Sequence, residues 1–326
     1  LKTVGSTKSD FLRETEVEEY KEYLRNFLNT ELIKNNVTKI EVMNEPSHLY
    51  NIVDGFAVSD DDSGIEKKAE AYARMVKATK EVVDTIEDKD YKVGILSLTG
   101  ISTEAAKKFA DLTFKNLSID DFDTLTLHPY LSVSNSPEGI LGKQVDYYKN
   151  LANGVESGVN TENYYYFNKT EPMWHTEFGY SSSKETNSAN LSVKDEYEQA
   201  KMVIRALDEL KQNNPNDLTY IYEISSGGTD IDEPEDNFEM IRSCNSEHPY
   251  SAKFSYLAVA NYNSLTANAT DVSREIASNN QYVTKYQMSN RDTYLVRTTS
   301  KYGSILDYDF GTNNVYYYDL FGWYFG

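Results

Sequence analysis

The sequence predicts an α/β fold in which helices alternate with short strands, followed by a small antiparallel β module. Helical segments and short apolar runs alternate from about residue 15 to about residue 265, which is the pattern of βα units and a parallel sheet. After about residue 280, short alternating runs separated by Asn, Asp and Gly are typical of hairpins. With 326 residues and 39% hydrophobic content, the chain can bury a large core. We expect a βα domain over 1–275 and a β module over 276–326.

The helices of the βα domain are predicted from N-terminal capping signals followed by apolar residues at helical spacing. The first helix, of roughly five turns, follows a Thr-x-x-Glu capping box. The starts of other helices are marked by similar Ser capping signals, and a helix-breaking residue marks where one of them ends. The predicted starts are Thr15, Ser63, Ser102 and Ser192, and a last helix covers 251–265.

Five apolar runs between these helices predict the strands of the parallel sheet. They cover 38–43, 91–98, 122–127, 172–177 and 218–224. The β module is predicted to contain alternating strands within 282–289, 293–300, 303–310 and 314–322.

Charge and composition exclude several classes of partner. The net charge of −20 disfavours nucleic acid and anionic membrane surfaces, so a neutral ligand fits better. No apolar run is long enough to span a bilayer. The single cysteine, Cys244, cannot form an intrachain disulfide, and we expect it to be buried or half-buried.

Polar residues capable of chemistry follow three of the predicted strands. Asn44 and Glu45 follow the first, His128 and Tyr130 the third, and Glu177 the fourth. The carboxyl ends of parallel strands meet at one edge of a sheet, where such folds place their chemistry. Two glutamates delivered there can face each other across a bound sugar, one protonating the leaving oxygen and the other attacking the anomeric carbon.

The order of these motifs resembles the retaining glycoside hydrolases of clan A, with TIM barrels like those of families 5 and 39. "MNEP" at 43–46, "HPY" at 128–130 and "WHTEFGY" at 174–180 match the ends of the fourth, sixth and seventh barrel strands of that group. The resemblance implies a (β/α)8 TIM-barrel type of fold and a small β-sandwich module after it. It also implies Glu45 as acid/base, Glu177 as nucleophile and no cofactor.

The same resemblance implies residues around the sugar and an incomplete barrel. We expect Asn44, His128, Tyr130 and Trp174 to bind substrate, with Tyr222 on the last strand where relatives often carry a tryptophan. Trp174 is, on average, more often a core residue than a sugar platform. Strands one to three of the barrel have no counterpart here, so the fold is N-terminally incomplete, and we expect a further segment or a second chain to complete it.

The predicted function is hydrolysis of a β-linked oligo- or polysaccharide through a covalent intermediate, in the extracellular space or at the cell surface. A non-catalytic carbohydrate-binding or surface assembly protein on a degenerate barrel is the alternative, although a scaffold has no reason to keep both glutamates at strand ends. A metal-dependent hydrolase is disfavoured because the four histidines show no ligand-like spacing. The acidic tracts at 59–64 and 229–236 do not match a calcium loop, so we predict no metal.

Overall fold

The structure is a computed structural model in which two compact units can be described separately. The described residues are 11–47, 52–59, 61–99, 103–152, 171–278, 280–300, 308–311 and 314–325. The first unit comprises Leu1–Pro129, Gln144–Glu177 and Leu218–Tyr220. The second unit comprises Tyr130–Lys143, Phe178–Asp217 and Ile221–Gly326.

From α3 to α7, the helices and strands of the described residues alternate along the chain. The helices are α1 Val17–Leu28, α2 Glu31–Asn36, α3 Asp62–Val83, α4 Glu104–Lys115, α5 Leu141–Ala152, α6 Glu196–Asn213 and α7 Phe254–Thr266. The strands are β1 Lys39–Glu41, β2 Ile52–Val53, β3 Phe56–Ala57, β4 Lys92–Thr99, β5 Thr124–His128, β6 Trp174–Phe178, β7 Leu218–Ile221, β8 Asp271–Ser278, β9 Gln281–Gln287, β10 Asp292–Thr298, β11 Tyr317–Tyr318 and β12 Tyr324–Phe325. Among the described helices, none is long and apolar enough to cross a membrane.

A five-stranded sheet carries the predicted strands in the order β1-β4-β5-β6-β7. β1 pairs with β4, β4 with β5 and β5 with β6, each in parallel. The predicted α/β fold is therefore confirmed. The sheet is open, with β1 and β7 at its edges, and it fits part of an eight-stranded barrel.

The centre of this sheet is buried on both faces. Six consecutive residues of β4 and all of β5 are buried, as expected for parallel strands covered by helices. Gly94 in β4 lies where side chains from the neighbouring strands meet. A Cβ at this position would come within 2.5 Å of Thr126 Cγ2 and 2.6 Å of the Trp174 ring, so the close packing requires glycine.

Three helices begin one or more residues away from the predicted caps. Asp61, Thr103 and Asp195 are the N-cap residues, and each side chain accepts a hydrogen bond from a backbone N–H of the first turn. An aspartate competes well for this position because its charge also interacts favourably with the helix dipole. Ser192, predicted to cap α6, instead donates to the carbonyl of Ser183 and is buried. Ser102 lies outside the described residues.

The first helix is shorter than predicted. Instead of one helix of five turns starting at Thr15, a 3₁₀ turn over Glu14–Glu16 leads into α1, and α2 follows after a break. Side chains end α1, because Asn29 donates to the Arg25 carbonyl and Thr30 to the Phe27 carbonyl. These bonds satisfy carbonyls that a continuing helix would otherwise use.

One helix in the βα region was missed by the capping argument. Ile140, the residue before α5, has no polar group for capping, but Leu141, Val145 and Tyr148 are all buried and recur at i, i+4 and i+7. This helical spacing is visible in the sequence. The missed signal was therefore periodicity rather than a cap.

The β module begins with a strand before the first predicted one. β8, β9 and β10 form an antiparallel sheet in the order β10-β9-β8, and β11 pairs with β12 in a separate hairpin. Most of the run predicted at 303–310 lies outside the described residues. Cys244 is exposed, so its predicted burial is wrong.

A buried network of ions supports the β module within the second unit. Arg297 of β10 forms ion pairs with Glu138, Asp208 and Glu209, and Arg274 of β8 forms ion pairs with Asp208 and Glu209. The carboxylates of Glu138 and Asp208 are almost fully buried. Buried charges of this kind require partners of opposite charge. The ion pairs therefore join β8 and β10 to Asp208 and Glu209 of α6.

Candidate active site

Three of the predicted residues meet at the carboxyl edge of the parallel sheet, within the first unit. Glu45 follows β1, His128 ends β5 and Glu177 lies near the end of β6. One side-chain oxygen or nitrogen from each residue lies within 4.8 Å of the other two. The glutamate side chains are 14% and 26% exposed, respectively, so a ligand can reach both.

Glu45 sits in an unusual backbone conformation. Its φ is 47°, and that of Met43, two residues earlier, is 63°, both in the left-handed region that non-glycine residues rarely adopt. The hydroxyl of Ser97 lies between them: it donates to the Met43 carbonyl at 2.9 Å and accepts from the Glu45 N–H at 3.1 Å. Backbone of this kind persists only where surrounding contacts impose it, and Ser97 supplies two of them.

An irregularity in β4 positions Ser97. The register of β4 against β5 shifts between Ile95 and Leu98, and Leu96 and Ser97 there have φ of 90° and 33°. The Tyr72 hydroxyl accepts from the Leu96 N–H at 2.7 Å and donates to the Val42 carbonyl at 2.9 Å. Such bulges re-aim side chains near functional sites. No pattern in the sequence indicates the roles of Ser97 and Tyr72, because a bulge depends on cross-strand pairing.

His128 is buried among carboxylates. Its ring is 1% exposed, and Nδ1 lies 2.9 Å from Glu45 Oε1 and 3.8 Å from Glu177 Oε2. Burial acts to lower the pKa of His128, but the carboxylates of Glu41, Glu45 and Glu177 outweigh it and raise the pKa to about 9. The imidazole therefore carries a positive charge at neutral pH, with the three carboxyl groups around it.

Glu41 is a residue of this cluster that the sequence analysis missed. Oε1 lies 3.8 Å from His128 Nε2, and Oε2 accepts a hydrogen bond from the Thr176 hydroxyl. It ends β1, four residues before Glu45. Alternation along the strand could have suggested that it faces the same side as Lys39, but not that it reaches His128.

The other predicted residues of the first unit occupy different surroundings. Asn44 is exposed beside Glu45. The Trp174 ring is 2% exposed, with Lys39 Nζ 5.3 Å from its centroid, and Nε1 donates to Glu171 at 3.3 Å. The indole thus packs within the fold, and its role in substrate binding stays a prediction.

Tyr130 and Tyr222 belong to the second unit. Their rings pack edge-on against Phe238, with centroid distances of 6.3 and 5.4 Å. The Tyr222 hydroxyl also donates to Glu235 at 3.5 Å. Their predicted contacts with a sugar stay predictions.

Two carboxylates and an imidazole could also suggest a metal site, since these groups are common ligands of divalent ions. A histidine binds a metal only through a neutral nitrogen. The three carboxylates around His128 favour its protonated form instead. The arrangement of Glu45, His128 and Glu177 therefore suits proton chemistry.

Comparison with known proteins gives a match in structure. Neither the protein-family models nor the curated proteins contain a match to this chain. A solved family 39 glycoside hydrolase from the gut symbiont Bacteroides cellulosilyticus WH2 superposes with a TM-score of 0.63 and 19% identity, over 90% of this chain and 54% of that one. A structure of fungal β-1,4-galactanases aligns with a TM-score of 0.47 and 13% identity, over 69% of this chain and 65% of that one. The chain thus spans about half of the family 39 structure and shares the fold of that part, an incomplete TIM barrel followed by a β module.

Proposed function

We propose that this chain carries the catalytic pair of a retaining glycoside hydrolase, with Glu45 as acid/base and Glu177 as nucleophile. The supporting observation is that carboxylate oxygens of the two residues lie within 4.8 Å of each other. Retaining enzymes hold their carboxyl groups about 5–5.5 Å apart, whereas inverting enzymes need about 6.5–9.5 Å to admit a water. The short separation therefore favours direct attack by one carboxylate.

The reaction follows from these two positions. Glu177 attacks the anomeric carbon as the glycosidic C–O bond breaks, and Glu45 gives its proton to the leaving oxygen. A water molecule then gives a proton to Glu45 and attacks the same carbon, which releases Glu177. The charge of His128 faces whichever of the two groups is ionised: Glu177 before the attack and Glu45 after its proton has left.

Substrate binding would involve residues around this pair. Asn44, exposed next to Glu45, is placed to hydrogen-bond a sugar hydroxyl beside the reacting carbon. We propose further contacts from His128, Tyr130, Trp174 and Tyr222. The substrate would be a β-linked oligo- or polysaccharide, and a polymeric substrate would place the enzyme outside the cell or at its surface.

Activity should require the rest of the barrel. β1 and β7 stand at the two edges of the described sheet, and an open edge of this kind exposes unpaired backbone groups. We propose that a further segment or a second chain supplies the remaining strands and helps to bind the sugar. Functional tests should therefore use the protein together with any native upstream segment or partner chain.

The test is covalent labelling with a panel of activated 2-deoxy-2-fluoro-glycosides, read by intact mass and peptide mapping. We expect one sugar on the peptide that contains Glu177, and no labelling of Glu177→Gln. Glu45→Gln should still be labelled, because an activated leaving group needs no acid, but it should release the sugar more slowly.

Glu171→Gln is the matched control, because Glu171 pairs with Lys39 of β1 at 2.8 Å rather than with the site. It should be labelled like the unaltered protein. A folded, complete barrel that takes no sugar from any probe would instead favour the non-catalytic carbohydrate-binding alternative.

A further inference from the structure

Glu41 holds a position that the two-carboxylate reaction does not use. Its side chain is 22% exposed at the end of β1, and its ion-pair partner among the described residues is His128, not a lysine or arginine. A partly buried carboxylate needs compensation for lost hydration. For Glu41, the compensating positive charge is that of His128, which also lies beside Glu45 and Glu177.

Both ring nitrogens of His128 face a carboxyl group. Nδ1 forms a hydrogen bond with Glu45 at 2.9 Å, and Nε2 faces Glu41 at 3.8 Å on the other side of the ring. The ring is 1% exposed, so water has little access to either nitrogen. A partner at one nitrogen of an imidazole fixes the orientation of the ring and therefore the direction of the other nitrogen.

Glu41 is itself fixed by a neighbour of the nucleophile. The hydroxyl of Thr176, the residue before Glu177 in β6, donates to Glu41 Oε2. The carboxylate thus links β1, β5 and β6 through Thr176 on one oxygen and His128 on the other. Each oxygen of the Glu41 carboxylate contacts a residue of a different strand, which fixes the orientation of the carboxylate.

We propose that Glu41 is a positioning residue that orients His128 and, through it, the acid/base Glu45. The inference rests on the proposed function only for its effect on the reaction rate. The contact with His128 can be tested without substrate. Among the described residues, the charged groups facing the His128 ring are Glu41, Glu45 and Glu177.

The direct test is NMR titration of the histidine ring nitrogens in the folded protein. The chain has four histidines, so the His128 signals can be assigned by substitution. In Glu41→Gln, one carboxylate facing Nε2 becomes neutral, and we expect the pKa of His128 to fall by about one unit or more. Glu171→Gln should leave the pKa of His128 within about 0.2 units, since the Glu171 carboxylate contacts Lys39 and Trp174 instead.

A kinetic test separates positioning from general loss of structure. Aryl glycosides of the sugar that labels Glu177 would be compared across leaving groups. We expect Glu41→Gln to lower kcat/KM about tenfold for poor leaving groups, which need Glu45 as acid, and less than about twofold for dinitrophenolate. Glu171→Gln should change both to the same small extent.

The outcomes distinguish this inference from the proposed function. A His128 pKa that moves no more in Glu41→Gln than in Glu171→Gln overturns the inference, whatever the activity. A clear pKa change in a protein that no glycoside labels would support the contact and reject the glycosidase.

If Glu41→Gln does not fold, Glu41→Asp keeps the charge but withdraws the carboxylate by one methylene. It should lower the pKa of His128 by a smaller amount. An unchanged pKa in folded Glu41→Asp would overturn the inference.

Discussion

Replacing Ser97 with alanine removes a hydroxyl that makes two hydrogen bonds to the loop that carries Glu45, residues 43–46. The hydroxyl donates to the Met43 carbonyl at 2.9 Å and accepts from the Glu45 N–H at 3.1 Å. Each such bond contributes about 0.5–1.5 kcal/mol, so Ser97→Ala should lower the free energy of unfolding by about 1–3 kcal/mol. The left-handed φ of 47° at Glu45 then loses part of its support.

The effect on activity should exceed the effect on stability. A misplacement of about 1 Å can cost about a hundredfold in rate, so we expect kcat/KM to fall between about tenfold and a hundredfold. Thr124→Val is the matched control. Thr124 starts β5, at the opposite end of the sheet from the site, and its buried hydroxyl donates to the Pro172 carbonyl at 2.7 Å.

The assays are urea unfolding for both variants and kcat/KM for the aryl glycoside of the sugar that labels Glu177. Both variants should lose stability, but only Ser97→Ala should lose rate beyond about twofold. Equal rates in the two variants, with Ser97→Ala as destabilised as expected, would refute the claim that Ser97 positions Glu45.

Two further predictions concern packing and buried charge. Gly94→Ala places a methyl group 2.6 Å from the Trp174 ring and should lower the free energy of unfolding in urea by about 1–3 kcal/mol. The control Gly227→Ala, with no atom within 4 Å of its Cβ, should change this free energy little. Equal effects of the two substitutions would contradict the packing argument. Burial acts to raise the pKa of Glu138, but Arg205, Arg297 and Ser136 lower it to about 2, from a usual value of 4.5. Because the folded pKa is depressed, the stability from Glu138 is present above about pH 4.5 and lost as the pH falls towards 2. The urea midpoint should therefore drop over this range, and Glu138→Gln should reduce the drop; an unchanged pH dependence would show that Glu138 is not its source.

Much of the fold could be predicted because its signals are local. Apolar runs of strand length and helical periodicity come from neighbouring residues, and the five predicted strands all appear in the sheet. Caps were less predictable, because several polar residues compete for one N-cap position, as Asp61 and Asp195 show. The missed helix α5 carried a periodic pattern without a cap.

The sequence by itself determined the order of βα units and the polar residues that end the strands, including Glu45, His128 and Glu177. Tertiary structure alone decided how closely these residues approach and which neighbours support them. The shift in β4 that aims Ser97, and the reach of Glu41 to His128, depend on pairing between strands far apart in the chain. Register and twist between such strands arise from packing of the whole sheet, so no local pattern encodes those distances.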